Sequence, residues 1–531
     1  MAKSLTYKPL DNVGVNGLNT QDNSASLEPA WLTEAENIIL QEGGQISFRK
    51  GMKQKVLATS GVVKGIVESE ETDTIFAAVE DTDGNAYMYT MDFTAPDAAF
   101  TDQWDTTAAT ADWQLFEWNG DIWGFQNGIA PIRYDSSAAT WELQTDHASW
   151  AGSNTSGLSF SSAQYLPSCG MGYYGRLWVG GIPLHPATLY YSDTLIGEEF
   201  ASGLAGEINL TSVWGQDEIV GIAPFFGKVV IFGKSNIAIY SNADDPVNLA
   251  LDEVIEGVGL AHRDSIQAIG DDLFFLSPTG VRSLARTTEK ENLPLTDLSR
   301  SIKDTLIRQI SLNTIIKSCW VEDEGFYLLS FINTGITYVF DIKHQNMGNP
   351  RITTWNFSTN RDVYAMASTH AEGFLIGQSS GSIAEYDGYY DKVYVSGGSY
   401  TNYAYSGKFA TVWVDLGDST IASILKKIAF IVEGGQGTTV GLKWYVDYDD
   451  NNPSSMSFKL NPTASGTAYL WNNAASLYGT AKYAPYYGLK EYNMSLTGRA
   501  KFIKLEMAAL TSGYSAALQD MTLLYKQGKI R

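Results

Sequence analysis

Sulfur and positive charge are both scarce in this chain. Its two cysteines, Cys169 and Cys319, lie far apart in sequence. That leaves no disulfide framework and no zinc-ligand spacing, and it predicts two buried thiols acting as small hydrophobes. Lys plus Arg number 36 against 59 Asp plus Glu, for a net charge of −23. Phosphates are gripped by Lys and Arg, so this balance disfavours ordinary double-stranded DNA binding. No window reaches the roughly 18 uncharged apolar residues of a membrane span. The opening Met1-Ala-Lys-Ser-Leu-Thr-Tyr7 lacks the apolar run of a signal peptide, so the chain is expected to be made and folded in cytoplasm.

Catalytic and metal-binding patterns are missing as well. The five histidines, His147, His185, His262, His344 and His370, form no i, i+4 pair and no H-E-x-x-H. Asp81-Thr-Asp-Gly84 and Asp447-Tyr-Asp-Asp-Asn-Asn452 look like fragments of calcium loops, but neither continues to the bidentate Glu; both read as turns. Gly434-Gly-Gln-Gly437 has neither the Lys-Ser/Thr nor the helix of a phosphate loop and reads as a hairpin turn. The Asp-box of sialidases does not occur, and Glu322, Asp323 and Glu324 sit together on a turn. The expectation is a protein that is not an enzyme and holds no cofactor and no metal.

What the chain does have is glycine (50 residues) and aromatics (14 Trp, 30 Tyr, 22 Phe), the composition of an all-β protein with many turns. A turn followed by a short apolar run recurs along it. Examples are Trp118-Asn-Gly-Asp-Ile-Trp-Gly-Phe125, Tyr174-Gly-Arg-Leu-Trp-Val179, Phe226-Gly-Lys-Val-Val-Ile-Phe232 and Glu324-Gly-Phe-Tyr-Leu-Leu-Ser330. The markers Asp73, Gly120, Gly175, Gly227, Asp271, Gly325 and Gly373 are spaced by 44 to 55 residues. That period, with strand chemistry, predicts a β-propeller of about six or seven four-stranded blades.

Three regions follow: an N-terminal strap over 1–60, the propeller over 61–400, and a C-terminal β-sandwich-like domain over 401–531. The strap's piece Leu27–Ile39 could hold a short helical turn, with Pro29 near its start, and the strap is expected to supply a strand that closes the propeller. Between blades, Leu298–Ile310 reads as a helix with Asp297 as its cap. The C-terminal region has longer alternating strands, such as Val440–Asp447 and Lys501–Met507, and a Tyr-, Ala- and Gly-rich insertion over 461–495. Trp31 in the strap and Tyr483, Tyr486 and Tyr487 in the insertion are the candidate interaction residues, although the insertion could equally be an ordinary loop. Trp113, Trp118, Trp123 and Trp178 could form a glycan platform or, more ordinarily, pack between blades.

The opening, Gly17-Leu-Asn-Thr-Gln-Asp22, then Leu32-Thr-Glu-Ala-Glu-Asn-Ile-Ile39, then Gly44-Gln-Ile-Ser-Phe-Arg-Lys-Gly51, resembles the start of a family of virion proteins of short-tailed bacteriophages. Ile219–Tyr240 and Asp272–Val281 are similar to that family's central blades. These are the tail nozzle or hub proteins, of the tail tubular protein B or packaged-DNA stabilisation type. The resemblance covers about residues 14 to 390; the C-terminal region has no matching motif. It implies a structural virion protein in the phage tail: a homohexameric ring joined to an adaptor (head–tail connector) ring and carrying fibres or tailspikes. Genomic DNA would pass through its channel without sequence-specific binding. The acidity then has two readings, a soluble surface or a conduit wall that repels DNA within the Debye length. The alternative for the whole chain is a glycan-binding or glycan-degrading propeller.

Overall fold

A computed structural model describes residues 5–41, 44–55, 61–72, 74–82, 84–91, 101–109, 112–144, 163–200, 203–285, 297–346, 349–357, 363–370, 373–396, 398–417, 420–460 and 489–528. Among the described residues, seven antiparallel blades follow one another around an axis. The first blade is Gly61–Ser69, Thr74–Asp81, Asn85–Met91 and Thr101–Ala109 in spatial order. The next five sheets cover 114–143, 169–209, 219–256, 267–283 and 316–356, and the seventh begins at Val363. Among the described residues six blades have four strands, those of the sixth and seventh continuing into larger sheets. The fifth has three strands, with an isolated bridge between Arg282 and Asp297 at its outer edge.

The recurring apolar run of the sequence is the second strand of each blade. Asp121–Gln126 and Phe326–Phe331 are buried at every position, because the neighbouring blades cover both faces of each sheet. A strand covered on both sides needs no polar alternation, so it reads as a continuous apolar stretch. Aromatics fill the seams: Phe232 of the fourth blade meets Phe275 of the fifth at 5.1 Å between ring centroids.

The ring closes with sequence-distant strands. Val363–Thr369, innermost in the seventh blade, packs beside Gly61–Ser69 of the first. The seventh blade's outer strand is Met52–Gln54, from the strap, pairing antiparallel with Ile383–Tyr386. The rest of the strap enters the sandwich. Thr6–Pro9 and Ile46–Phe48 pair with Ala516–Lys526, and Trp31–Glu36 pairs with Ser406–Thr411. The last of these also touches the sixth blade through Thr354 opposite Glu36, so one sheet runs from propeller into sandwich. The strap is thus shared between the two bodies. The helical turn that could fall over 27–39 is instead this strand: exposed sheet edges on both sides supply hydrogen bonds that override local propensity.

Two glycines explain how closely the strap threads. A Cβ on Gly17 would lie 2.6 Å from the Ile352 amide nitrogen, and one on Gly51 would lie 2.0 Å from the Tyr390 carbonyl oxygen. Between them, Arg49 is fully buried. Its guanidinium lies 4.0 Å from the Tyr405 ring centroid and 4.8 Å from that of Phe357, and it donates to Asn37 Oδ1 (3.0 Å) and the Lys50 carbonyl (2.7 Å). The Asp391 carboxylate lies 3.5 Å away. Arg49 therefore joins strap, sixth blade, seventh sheet and sandwich.

The sandwich stacks Ser423–Gly434, Ala516–Lys526 and Lys490–Ser495 over Ser406–Thr411, Phe502–Leu510, Thr439–Val446 and Asp449–Lys459. Its centre is apolar, with Ile428, Phe430, Leu442, Ile503 and Leu505 at zero exposure. The expected helix between blades runs Lys303–Leu312, led by a 3-10 turn at Arg300–Ile302. Asp297 does not cap the helix: its carboxylate accepts from the amide (2.9 Å) and hydroxyl (2.7 Å) of Ser299, the residue before the 3-10 turn.

Candidate functional site

The innermost strands of seven blades cannot meet at a point, so a propeller leaves a channel on its axis. Here it is filled by charge. Asp112 lies just before the inner strand Gln114–Trp118 of the second blade. His262, Arg263 and Asp264 sit on the 3-10 turn Arg263–Ser265 that leads into the fifth blade, and Lys317 projects from the inner strand Ile316–Val321 of the sixth. Lys317 Nζ bridges the Asp112 and Asp264 carboxylates, the latter at 2.6 Å, and donates to the Trp113 carbonyl at 3.1 Å. Arg263 donates to the carbonyls of Asp112 (2.6 Å) and Ser168, which ties the second and third blades to the fifth. Its Nη2 lies 3.4 Å from Asp112 Oδ2, and its Nε 3.4 Å from Asp264 Oδ1. His262 Nε2 is 3.4 Å from Asp112 Oδ2.

Electrostatics follow from this packing. Burial pushes the Asp112 carboxyl up, but the Lys317 ammonium, the hydrogen bond from His262 and the Arg263 guanidinium outweigh it and hold the group well below the usual carboxylate range. Burial pushes Lys317 down; Asp112 and Asp264 more than reverse this and raise it. Two acids and two bases therefore compensate each other in low dielectric, where breaking one partner leaves a costly lone charge.

Two cavities flank the cluster and share Arg263. One, about 500 Å³, is lined by Asp112, Pro186, Glu218, Lys234 and His262; the other, about 310 Å³, by Trp113, Gln114, Ala223, Gln267 and Lys317. Neither has room for a nucleic-acid duplex. Ligand atoms of Asp112, His262 and Asp264 lie within 4.8 Å of one another, a spacing that could suit a divalent cation. The donor set does not fit one, because Lys317 Nζ already bridges both carboxylates and a dication would have to expel it. For nucleophilic chemistry, the nearest hydroxyl in sequence, Ser265 Oγ, donates to the His262 carbonyl (2.6 Å) rather than to its ring.

The residues singled out from the sequence fall elsewhere. Trp31 is half-buried at the start of Trp31–Glu36. Tyr483, Tyr486 and Tyr487 lie outside the described residues. Trp113, Trp123 and Trp178 are buried and Trp118 packs against the core beside them, so the four do not form an exposed platform. Cys169 and Cys319 are buried, and burial pushes both thiols up to about 12. His185 packs between Tyr165 and Tyr190, and His344 lies 3.3 Å from Asp341. His147 is outside the described residues. Asp447 and Tyr448 form the hairpin turn between Thr439–Val446 and Asp449–Lys459, both with positive φ. Gly434, Gly435 and Gly437 turn likewise. Sequence reasoning missed Asp112, Arg263, Asp264 and Lys317. The available signal was a lysine inside the otherwise uncharged strand Ile316–Val321.

No family model matches this chain, and no curated protein does. Solved structures with a similar chain path include the Neurospora crassa Pan2 WD40 domain, at 8% identity and TM-score 0.38 over 64% of this chain and 98% of that one. Chaetomium thermophilum Raptor is similar at 10% identity and TM-score 0.42 over 64% of this chain, which spans only 30% of Raptor's length. The extracellular domain of the hybrid two-component system BT3049 from B. thetaiotaomicron gives 10% and 0.39 over 63% of this chain and 41% of that one. The propeller assignment rests on the sheet order itself.

Proposed function

We propose that this chain is a structural subunit of a ring-shaped conduit, the nozzle or hub at the distal end of a short bacteriophage tail. The observation that carries the reading is the opening segment. The residues that resemble the phage proteins, Gly17–Asp22, Leu32–Ile39 and Gly44–Gly51, are those whose strands, glycines and Arg49 lock propeller to sandwich. A segment with that task is under strong geometric constraint, and that supports giving weight to its likeness to the family.

Two further features support it. The propeller's axis is blocked by the charged cluster, so a DNA path would have to run between protomers, as a ring provides. The net charge of −23 suits a wall past which DNA moves without sticking. Adaptor and fibre or tailspike contacts belong to the same proposal, as does location in the virion. Negative-stain electron microscopy of the purified full chain tests it, alone and with candidate neighbouring tail proteins. Six-fold rings with a central hole are expected. Monomers under both conditions, or glycan binding on an array, would overturn it.

A further inference from the structure

In every blade the chain runs outward from the axis in the same sense, so the first hairpin of each blade opens on one common face. The turn of the second blade is Asn119-Gly120, both residues with positive φ, the pairing that such a two-residue hairpin favours. The third and fourth blades depart from it. Tyr174 and Phe226 take the same left-handed position, each at φ 46° and each followed by glycine. Bulky side chains there are backbone outliers, yet both rings point to solvent, 47% and 66% exposed. Tyr174 packs tilted on Tyr173 and Phe226 edge-on to Phe225, at 4.4 and 4.7 Å between ring centroids, and the Tyr173 hydroxyl accepts from the Gly227 amide (3.0 Å), which links the two turns. Leu195, also left-handed (φ 60°) and 60% exposed, donates its amide to the Gly175 carbonyl. Ile196 and Leu204 are exposed beside it.

Exposed acids stand on the first-hairpin turns of three other blades. Glu70 and Glu71 are exposed in the first blade, Asp271 in the fifth, and Glu322 and Asp323 in the sixth; Asp244 and Asp245 stand exposed on the fourth blade's outer turn. Of the nearby cations, Lys228 is held by Asp252 (2.9 Å) and Lys50 by Glu324, while Lys343 stands exposed beside the Gly325 turn. An apolar crescent over the third and fourth blades is thus flanked by exposed acids on the first, fourth, fifth and sixth. A second copy of this chain would bring further negative charge against it, whereas a basic amphipathic segment complements both parts.

We infer that the Tyr174–Leu195–Phe226 face is a docking surface for a partner protein that presents an amphipathic segment with apolar residues flanked by Lys and Arg. The inference does not depend on the ring reading. Its test measures fluorescence anisotropy of two labelled peptides, one of Leu and Lys in amphipathic order and one of Leu and Glu, against the full chain. The Leu/Lys peptide is expected to bind more tightly, and less so at high salt. The deciding variant is Tyr174→Asn with Phe226→Asn, which keeps every charge and places at both turns a residue that tolerates left-handed backbone. It should weaken Leu/Lys binding about tenfold or more, with the thermal midpoint unchanged or raised. Glu322→Lys with Asp323→Lys should weaken it further. Unchanged binding in the double Asn variant would show attraction to net charge only and overturn the inference. So would loss of self-association in that variant, which would make the face a contact between copies, or capture of zwitterionic lipid vesicles by the wild type, which would make it a membrane surface.

Discussion

At the middle of the propeller, Asp112, Arg263, Asp264 and Lys317 are buried against one another; between the sandwich sheets, Ile428, Phe430, Leu442, Ile503 and Leu505 meet with no polar group among them. The difference comes from geometry. Two stacked sheets approach face to face and interdigitate, so apolar side chains fill the gap. Seven sheets arranged radially pack well against each other but leave an axis, where inner-strand backbone groups end and cavities open on either side. Long side chains that can reach across and hydrogen-bond carbonyls of other blades suit that space better than short apolar ones. The sandwich is held by area, the propeller axis by a network, and the two should fail differently.

The strap serves both bodies, so its removal is the largest perturbation. Deleting residues 1–54 takes away the seventh blade's outer strand and five strands of the two sheets that form the sandwich, and a chain without cooperative unfolding by circular dichroism is expected. A propeller that still melts as a unit would show that the two bodies are less dependent on each other than their shared strap implies.

Next come single changes at the two centres. Lys317→Met leaves Arg263 as the remaining guanidinium or ammonium partner of two buried carboxylates, one negative charge in excess, and should cost about 3–5 kcal/mol in urea unfolding. Leu442→Ala opens a cavity in the sandwich and should cost about 2–5 kcal/mol. The contrast sharpens in the double variant Asp112→Asn, Lys317→Met. Its cost should be clearly less than the sum of the single changes, because the lone charge is gone; additive costs would mean that the four groups do not act as a network.

Protons separate the centres as well. Asp112 is lowered below its ordinary 3.8, so its stabilisation is complete above that value and is lost as pH falls through the lower folded value. Lys317 is raised above 10.5, so its share is complete below 10.5 and is lost as pH rises through the folded value. The difference in stability between wild type and Lys317→Met should therefore be flat from about pH 5 to 9 and shrink below about pH 4. Leu442→Ala should show the same deficit throughout.

The smallest expected effect lies at the surface. Tyr174→Asn alone relieves a left-handed aromatic and should raise stability by roughly 1 kcal/mol, seen as a higher thermal midpoint. Asn119→Tyr in the second blade should do the reverse, turning a relaxed turn into a strained one.

Much of the blade structure is readable from the residues. Asp121–Gln126, Lys228–Gly233 and Phe326–Phe331 are apolar runs after a turn, and each is the second strand of a blade. Where the reading slipped, a distant partner intervened. Trp31–Glu36 became a strand because Ser406–Thr411 lies alongside it. The axis cluster was not legible, since His262 taken alone looks like one of five scattered histidines.

Sequence alone determined the hairpins, their turn chemistry and the repeat that makes blades, because these depend on residues within a few positions of each other. Tertiary structure decided the rest: that residues 112, 262–264 and 317 converge on one axis, that Arg49 lies between Tyr405 and Phe357, and that turn aromatics of adjacent blades share one face. Each of these joins groups separated by tens to hundreds of residues. Only closure of the ring and threading of the strap bring them within a few ångströms, where charge, burial and hydrogen bonding take effect.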